Sequence, residues 1–170
     1  MSHFVLFKLI LISLILPLNL CAHESWEPTA YSSIDAHAPT PLPDRVVLTW
    51  EDDTATTQSV SWRTDTTIEQ GMAQLAVANS NGRALQPKSF NSKTTFLQTD
   101  LNDSHYHTVI FRDLEPDTLY AYRVGDGVNF TEYYHFKTAT KEQEPFSFIY
   151  FGDAQSEVRT HWSRVFREAF

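Results

Sequence analysis

The sequence is short of cysteine and of positive charge, and each shortage excludes something. Cys21 is the single cysteine in 170 residues, so no disulfide can form within the chain. Stability must then come from a packed core, for which 42% hydrophobic and 14% aromatic content is sufficient. Lys and Arg number 13 against 21 Asp and Glu, a formal net charge of −8. Nucleic acids and anionic membranes are bound through excess positive charge, so neither is an expected partner. Low-complexity tracts are missing, as are a GxSxG nucleophile elbow and a phosphate-binding P-loop, and His23-Glu24 begins no HExxH. The length accommodates one domain and part of another.

What is present begins with an apolar leader. Residues 1–22 carry His3 and Lys8, then Leu9, Ile10, Leu11, Ile12, Leu14, Ile15 and Leu16 up to Pro17. This pattern predicts a cleaved signal peptide and a secreted or periplasmic product with no stable membrane association. The competing reading is an uncleaved anchor, since Phe4 to Leu20 approaches a membrane-spanning length. Cys21 does not form a lipobox, because Leu20 stands where a small residue is required. Residues 23–43 hold Pro28, Pro39, Pro41 and Pro43 among small polar residues and read as a linker or extended arm. Trp26 and Tyr31 lie in that arm.

Residues 44–140 read as all-β. Val46, Leu48 and Trp50 alternate with Val47 and Thr49, and Val60 and Trp62 alternate with Ser59, Ser61 and Arg63. Leu75 and Val77 lie in a third run, and Val109 and Phe111 alternate with Ile110 and Arg112. Between the runs stand the turn clusters Glu51-Asp52-Asp53, Asn79-Ser80-Asn81-Gly82 and Gly125-Asp126-Gly127. Short strands at this spacing predict a sandwich, because each sheet has one apolar face that must meet another. Asn102-Asp103-Ser104 and Asn129-Phe130-Thr131 are glycosylation sequons.

Residues 145–170 change character. Phe146, Phe148, Ile149, Tyr150 and Phe151 form an apolar run with little alternation, the pattern of a strand covered on both faces. Gly152 permits a tight turn and leaves Asp153 at the carboxyl end of the strand, where open α/β sheets place ligands and metals. Ser156 suits a helix cap and Glu157 the first turn, while Val158, Trp162, Val165, Phe166 and Ala169 recur at helical spacing. Strand, turn and amphipathic helix are expected in that order. A lone parallel strand and a lone apolar helix face have nothing to pair with or cover, which points to the opening unit of a larger, incomplete α/β domain.

Other polar groups have ordinary readings. His105 and His107 would share a strand face and could meet a metal together, but two ligands without a third do not make a site. His135 and His161 are isolated, and Asp52 and Asp53 are adjacent turn carboxylates without a calcium loop. By its position Asp153 is the likeliest chemical residue in the chain, and no catalytic residue is assigned.

Two motifs carry a resemblance. Asp113 to Val124, DLEPDTLYAYRV, places Leu114, Pro116, Thr118, Tyr120 and Tyr122 in the order of fibronectin type III domains, and FGDAQ follows the apolar strand. Together they resemble the purple acid phosphatase branch of the metallophosphoesterases. The resemblance implies a mainly β chain: a fibronectin type III-like sandwich, then the first β-strand and helix of a truncated α/β metallophosphoesterase domain. It makes Tyr120 a tyrosine corner, Trp62 the central core aromatic, and Tyr133 to Thr138 the last strand. It makes Asp153 a metal ligand, with Gln155 where the wider superfamily has His and where this branch more commonly has Gly.

Such enzymes hydrolyse phosphate monoesters at a dinuclear centre, Fe3+ with Fe2+, Zn2+ or Mn2+. The metals supply the positive charge that an anionic substrate needs and that this chain lacks. The family's later motifs, GDxxY, GNHE or GNHD, and GHxH, do not occur here, so the 170 residues alone are expected to be inactive. Two alternatives stand beside this reading. One is a secreted fibronectin-like binding or spacer module without chemistry. The other is a phosphodiesterase or nucleotidase of the same superfamily.

Overall fold

The computed structural model describes residues 36–81, 85–152, 154 and 161–169. The leader of residues 1–22, Trp26, Tyr31, Asp153 and the expected helix start at Ser156 and Glu157 lie outside the described residues. Among the described residues eight strands form two antiparallel sheets: β1 (Asp44–Thr49), β2 (Gln58–Thr64), β3 (Met72–Val77), β4 (Lys88–Asn91), β5 (Lys93–Leu97), β6 (Ser104–Phe111), β7 (Leu119–Gly125) and β8 (Tyr134–Lys137). One sheet has the order β1-β2-β6-β5 and the other β4-β3-β7-β8. A helix, α1 (Ser163–Ala169), follows.

Alternation builds the core. Val60 and Trp62 of β2, Ala73 and Leu75 of β3, Val109 and Phe111 of β6, and Tyr120, Tyr122 and Val124 of β7 are buried between the sheets with Phe136. Trp62, Val60, Phe111 and Val124 have no exposed surface. Phe136 stacks on Tyr120 at 5.5 Å and on Phe111 at 6.4 Å between ring centres.

The segment from Asp113 to Tyr120 is held by a closed set of hydrogen bonds. Tyr120 Oη accepts the Glu115 N–H at 2.9 Å, the bond of a tyrosine corner. Thr138 Oγ1 donates to Glu115 O at 2.7 Å and accepts the Thr118 N–H at 2.9 Å. Leu114 N–H donates to Thr56 O at 3.0 Å, tying the β6–β7 connection to the β1–β2 loop. Asp113 and Asp117 take left-handed backbone angles, φ 55° and 51°, which Asp tolerates better than most residues.

Three expectations from the apolar pattern are corrected. Trp50 was expected to continue the apolar face of β1, but β1 ends at Thr49 and the indole is 71% exposed. Val77, at the end of β3, is likewise exposed. The Phe146 to Phe151 run forms no ladder, since no neighbouring strand among the described residues offers it hydrogen bonds. Strands β4 and β5 were not foreseen. Their sequences, KSFN and KTTFL, are short and mostly polar, as edge strands can be.

Candidate functional site

The chain leaves the sandwich at one end. After β8, Thr138 N–H bonds Thr118 O at 3.0 Å and Ala139 N–H bonds Thr54 O at 3.0 Å, which fixes the exit beside the β1–β2 loop. That loop is turned by Asp53, whose Oδ1 accepts the Ala55 N–H at 2.9 Å, while Asp52 Oδ1 accepts the Asp53 N–H at 2.9 Å. Asp52 and Asp53 thus work as turn residues.

Beyond the exit, Phe146, Phe148, Ile149 and Tyr150 are exposed. Phe151 is partly covered, its ring centre 4.9 Å from Phe166 and 6.1 Å from Trp162, which are themselves 5.7 Å apart. An aromatic clasp therefore draws α1 back against the end of the apolar segment. At Gly152, the next residue, an added Cβ would stand 3.9 Å from the Tyr150 ring, an ordinary contact. Asp153 follows it and lies outside the described residues, as does Gln155. The buried residues of α1 number none, so its apolar stripe is not covered by the sandwich.

The histidines do not gather. His107 is wholly buried, and both ring nitrogens are occupied. Thr64 Oγ1 gives its own proton to Asp65 O at 3.0 Å, so it accepts from His107 Nε2 at 2.8 Å. Nδ1 then accepts from Thr94 Oγ1 at 2.9 Å. Burial, with a smaller contribution from neighbouring His105, lowers the His107 pKa from 6.5 to about 4. A neutral, doubly hydrogen-bonded imidazole packed 5.3 Å from the Trp62 ring is a structural residue and not a metal ligand. His105 Nδ1 lies 2.8 Å from Ile68 O, and His135 and His161 are exposed and apart. Among the described residues no group of three or more His, Cys, Asp or Glu is placed to hold a metal. The described residues therefore do not form a dinuclear cradle.

Sequence reasoning missed one buried charge. Arg63 points outward from β2 yet is only 6% exposed, because Nε and Nη2 both reach the Asp44 carboxylate and Nη2 also donates to His37 O at 3.0 Å. The Asp44 hydrogen bonds raise its pKa against the opposing cost of burial. Together with the Asp65 N–H bond to Thr40 O at 2.8 Å, this pair docks residues 37–44 onto the sheet. A second cation, Arg123, is held between the Phe130 and Tyr133 rings at 4.5 and 4.7 Å.

A family profile described as the purple acid phosphatase N-terminal domain matches residues 43–138, the whole sandwich. The chain belongs to this family. The purple acid phosphatase family is generally metal-dependent, and the matched residues stop short of Asp153. Among solved structures, the chain is similar to the fn3 domain of human contactin 1, at 15% identity, covering 64% of this chain and 86% of that one, with a TM-score of 0.41. The FN1-FN3 domains of chicken CNTN1 match at 17% identity over 60% of this chain and 31% of theirs, TM-score 0.39. Astrotactin-2 matches at 17% identity over 57% and 22%, TM-score 0.40. No curated protein matches.

Proposed function

We propose that this chain is the N-terminal part of a secreted or periplasmic metallophosphoesterase that hydrolyses phosphate monoesters. The sandwich would be the module that precedes the catalytic domain, and residues 145–170 the first strand, turn and helix of that domain. The observation that supports this is a purple acid phosphatase N-terminal sandwich followed by an apolar segment whose Phe151 ring packs on Trp162 and on Phe166 of α1.

Asp153 would stand at the carboxyl end of that strand and contribute one metal ligand, the other ligands coming from residues outside this sequence. Bound metal would offset substrate charge on a scaffold whose own net charge is −8. The role of the described residues is to hold the module that leads into that turn.

The test uses the native, full-length protein from its source. Hydrolysis of p-nitrophenyl phosphate and stoichiometric metal by elemental analysis are expected, with Asp153→Asn losing metal and at least a hundredfold in rate. Native protein that neither binds metal nor hydrolyses any phosphate ester would make the sandwich a non-catalytic module. A preference for bis(p-nitrophenyl) phosphate would move the reading to a phosphodiesterase.

A further inference from the structure

At the end of the sandwich away from the exit of residues 138–145, the start of β1, the end of β2, the end of β5 and the start of β6 enclose a cleft of about 430 Å³. That volume falls within the range of about 300 to 1,000 Å³ common to small-molecule sites. Its floor is the register pair Arg63 and Tyr106, side by side on the outer face of the sheet. Its walls carry Arg45, Asp100 and Asn102.

Each wall residue is presented on fixed backbone. The β1–β2 ladder shifts register between Asp44 and Val47, and within that bulge Arg45 adopts φ 49°, a conformation that L residues rarely take. Thr99 Oγ1 accepts the N–H groups of Leu101 and Asn102 at 3.2 and 3.0 Å and donates to Asn102 O at 2.8 Å, which closes the loop bearing Asp100 and Asn102. Among the described residues, no hydrogen bond or ion pair engages the side chains of Arg45, Asp100 or Asn102. Three polar groups are thus held at one cleft without partners among the described residues.

Charge decides the class of ligand. Arg45 and Arg63 are balanced by Asp44, which already pairs with Arg63, and by Asp100, and His37 adds a group at the rim. Asp44 lies outside the lining and its pairing with Arg63 leaves Arg45 and Asp100 as the one opposed pair of charges facing the cleft. A neutral molecule rich in hydroxyls meets donors in Arg45 and Asn102, acceptors in Asp100 and Asn102, and an aromatic ring in Tyr106 for its C–H face. We propose that this cleft is a saccharide-binding site, taking one pyranose ring against Tyr106 with its hydroxyls shared among Arg45, Asp100 and Asn102. The proposal is independent of the phosphatase reading.

Saturation-transfer NMR tests it on the full chain, produced in a host that does not glycosylate, so that the Asn102 amide stays free. The probes are methyl α-mannoside, methyl β-glucoside, methyl β-galactoside and N-acetylglucosamine. Transfer to at least one sugar is expected, with a dissociation constant raised tenfold or more by Tyr106→Ala and by Arg45→Ala. Arg45 and Asn102 are on the surface, so Arg45→Ala and Asn102→Ala should keep the wild-type melting temperature even if Tyr106→Ala unfolds. No transfer to any of the four sugars would overturn the proposal. So would binding that changes less than twofold in both Arg45→Ala and Asn102→Ala, or displacement of the sugar by millimolar inorganic phosphate.

Discussion

Tyr120→Phe isolates a single hydrogen bond. The ring stays in place, stacked 5.5 Å from Phe136, and only the oxygen that accepts the Glu115 N–H at 2.9 Å is removed. A net hydrogen bond contributes about 0.5 to 1.5 kcal/mol, and an N–H left without a partner adds to the loss, so about 1 to 2 kcal/mol is expected. Glu115 itself is exposed, and water can reach part of its backbone, which keeps the figure at this level. For a domain of this size each kcal/mol lowers the melting temperature by about 4 to 8 °C. Thermal unfolding followed by circular dichroism reads the shift directly. Tyr122→Phe is the control, because Tyr122 is equally a β7 core ring but no hydrogen bond to its hydroxyl is formed among the described residues. Its cost should stay below about 0.5 kcal/mol. Equal melting temperatures for wild type and Tyr120→Phe would refute the corner as a stabilising device.

His107 should remain neutral in NMR titration down to about pH 4, where an ordinary imidazole charges near 6.5. Its folded pKa is depressed, so its contribution is complete above pH 6.5 and declines as pH falls towards 4, by at most about 3 kcal/mol; a midpoint near 6.5 would contradict this. Gly71→Ala places a methyl carbon 2.7 Å from both His107 Cγ and Trp62 Cζ2, and urea unfolding should show a loss of about 1 to 3 kcal/mol. Asp44→Asn strips the carboxylate from buried Arg63 and should cost about 1 to 2 kcal/mol, discounted because Asp44 is itself 41% exposed; an unchanged denaturation midpoint would show the pair to be neutral. Phe148→Ser with Ile149→Ser should leave the sandwich melting temperature within about 1 °C, since both side chains are exposed; a clear drop would mean that this segment packs on the sandwich.

The sandwich was legible because its signals agree. Val60 and Trp62 on β2, Val109 and Phe111 on β6, and Tyr120 and Tyr122 on β7 alternate in the sequence and are buried in the fold. The DLEPDTLYAY order then fixes which tyrosine takes the corner. His107 could have been placed by the same rule: it lies two and four residues before Val109 and Phe111, on the same face of β6, so an inward histidine was implied. What alternation could not give was the partner that satisfies it, since Thr64 and Thr94 come from two other strands. The Arg63 and Asp44 pair was hidden for a similar reason. An arginine at a solvent-facing position reads as exposed, and its burial comes from a bulge and an arm that no local pattern announces.

The apolar segment before Asp153 shows where pattern and fold pull apart. On a strand successive side chains point to opposite sides, so Phe148 and Ile149 would belong to different faces. Both are exposed, at 79% and 63%, so neither face is covered, and α1 shields only Phe151. A strand of the sandwich would have polar residues on one of those faces, as β2 has Ser59, Ser61 and Arg63 opposite Val60 and Trp62. Phe146 to Phe151 has nearly none, and its sequence is suited to an environment with apolar layers on both sides, the condition of a parallel sheet flanked by helices. The sandwich, whose two inner faces already close on each other, cannot provide it. This mismatch between an apolar run suited to two covered faces and a one-core domain is the physical reason for our proposal that residues 145–170 belong to a layer outside the β-domain that precedes them.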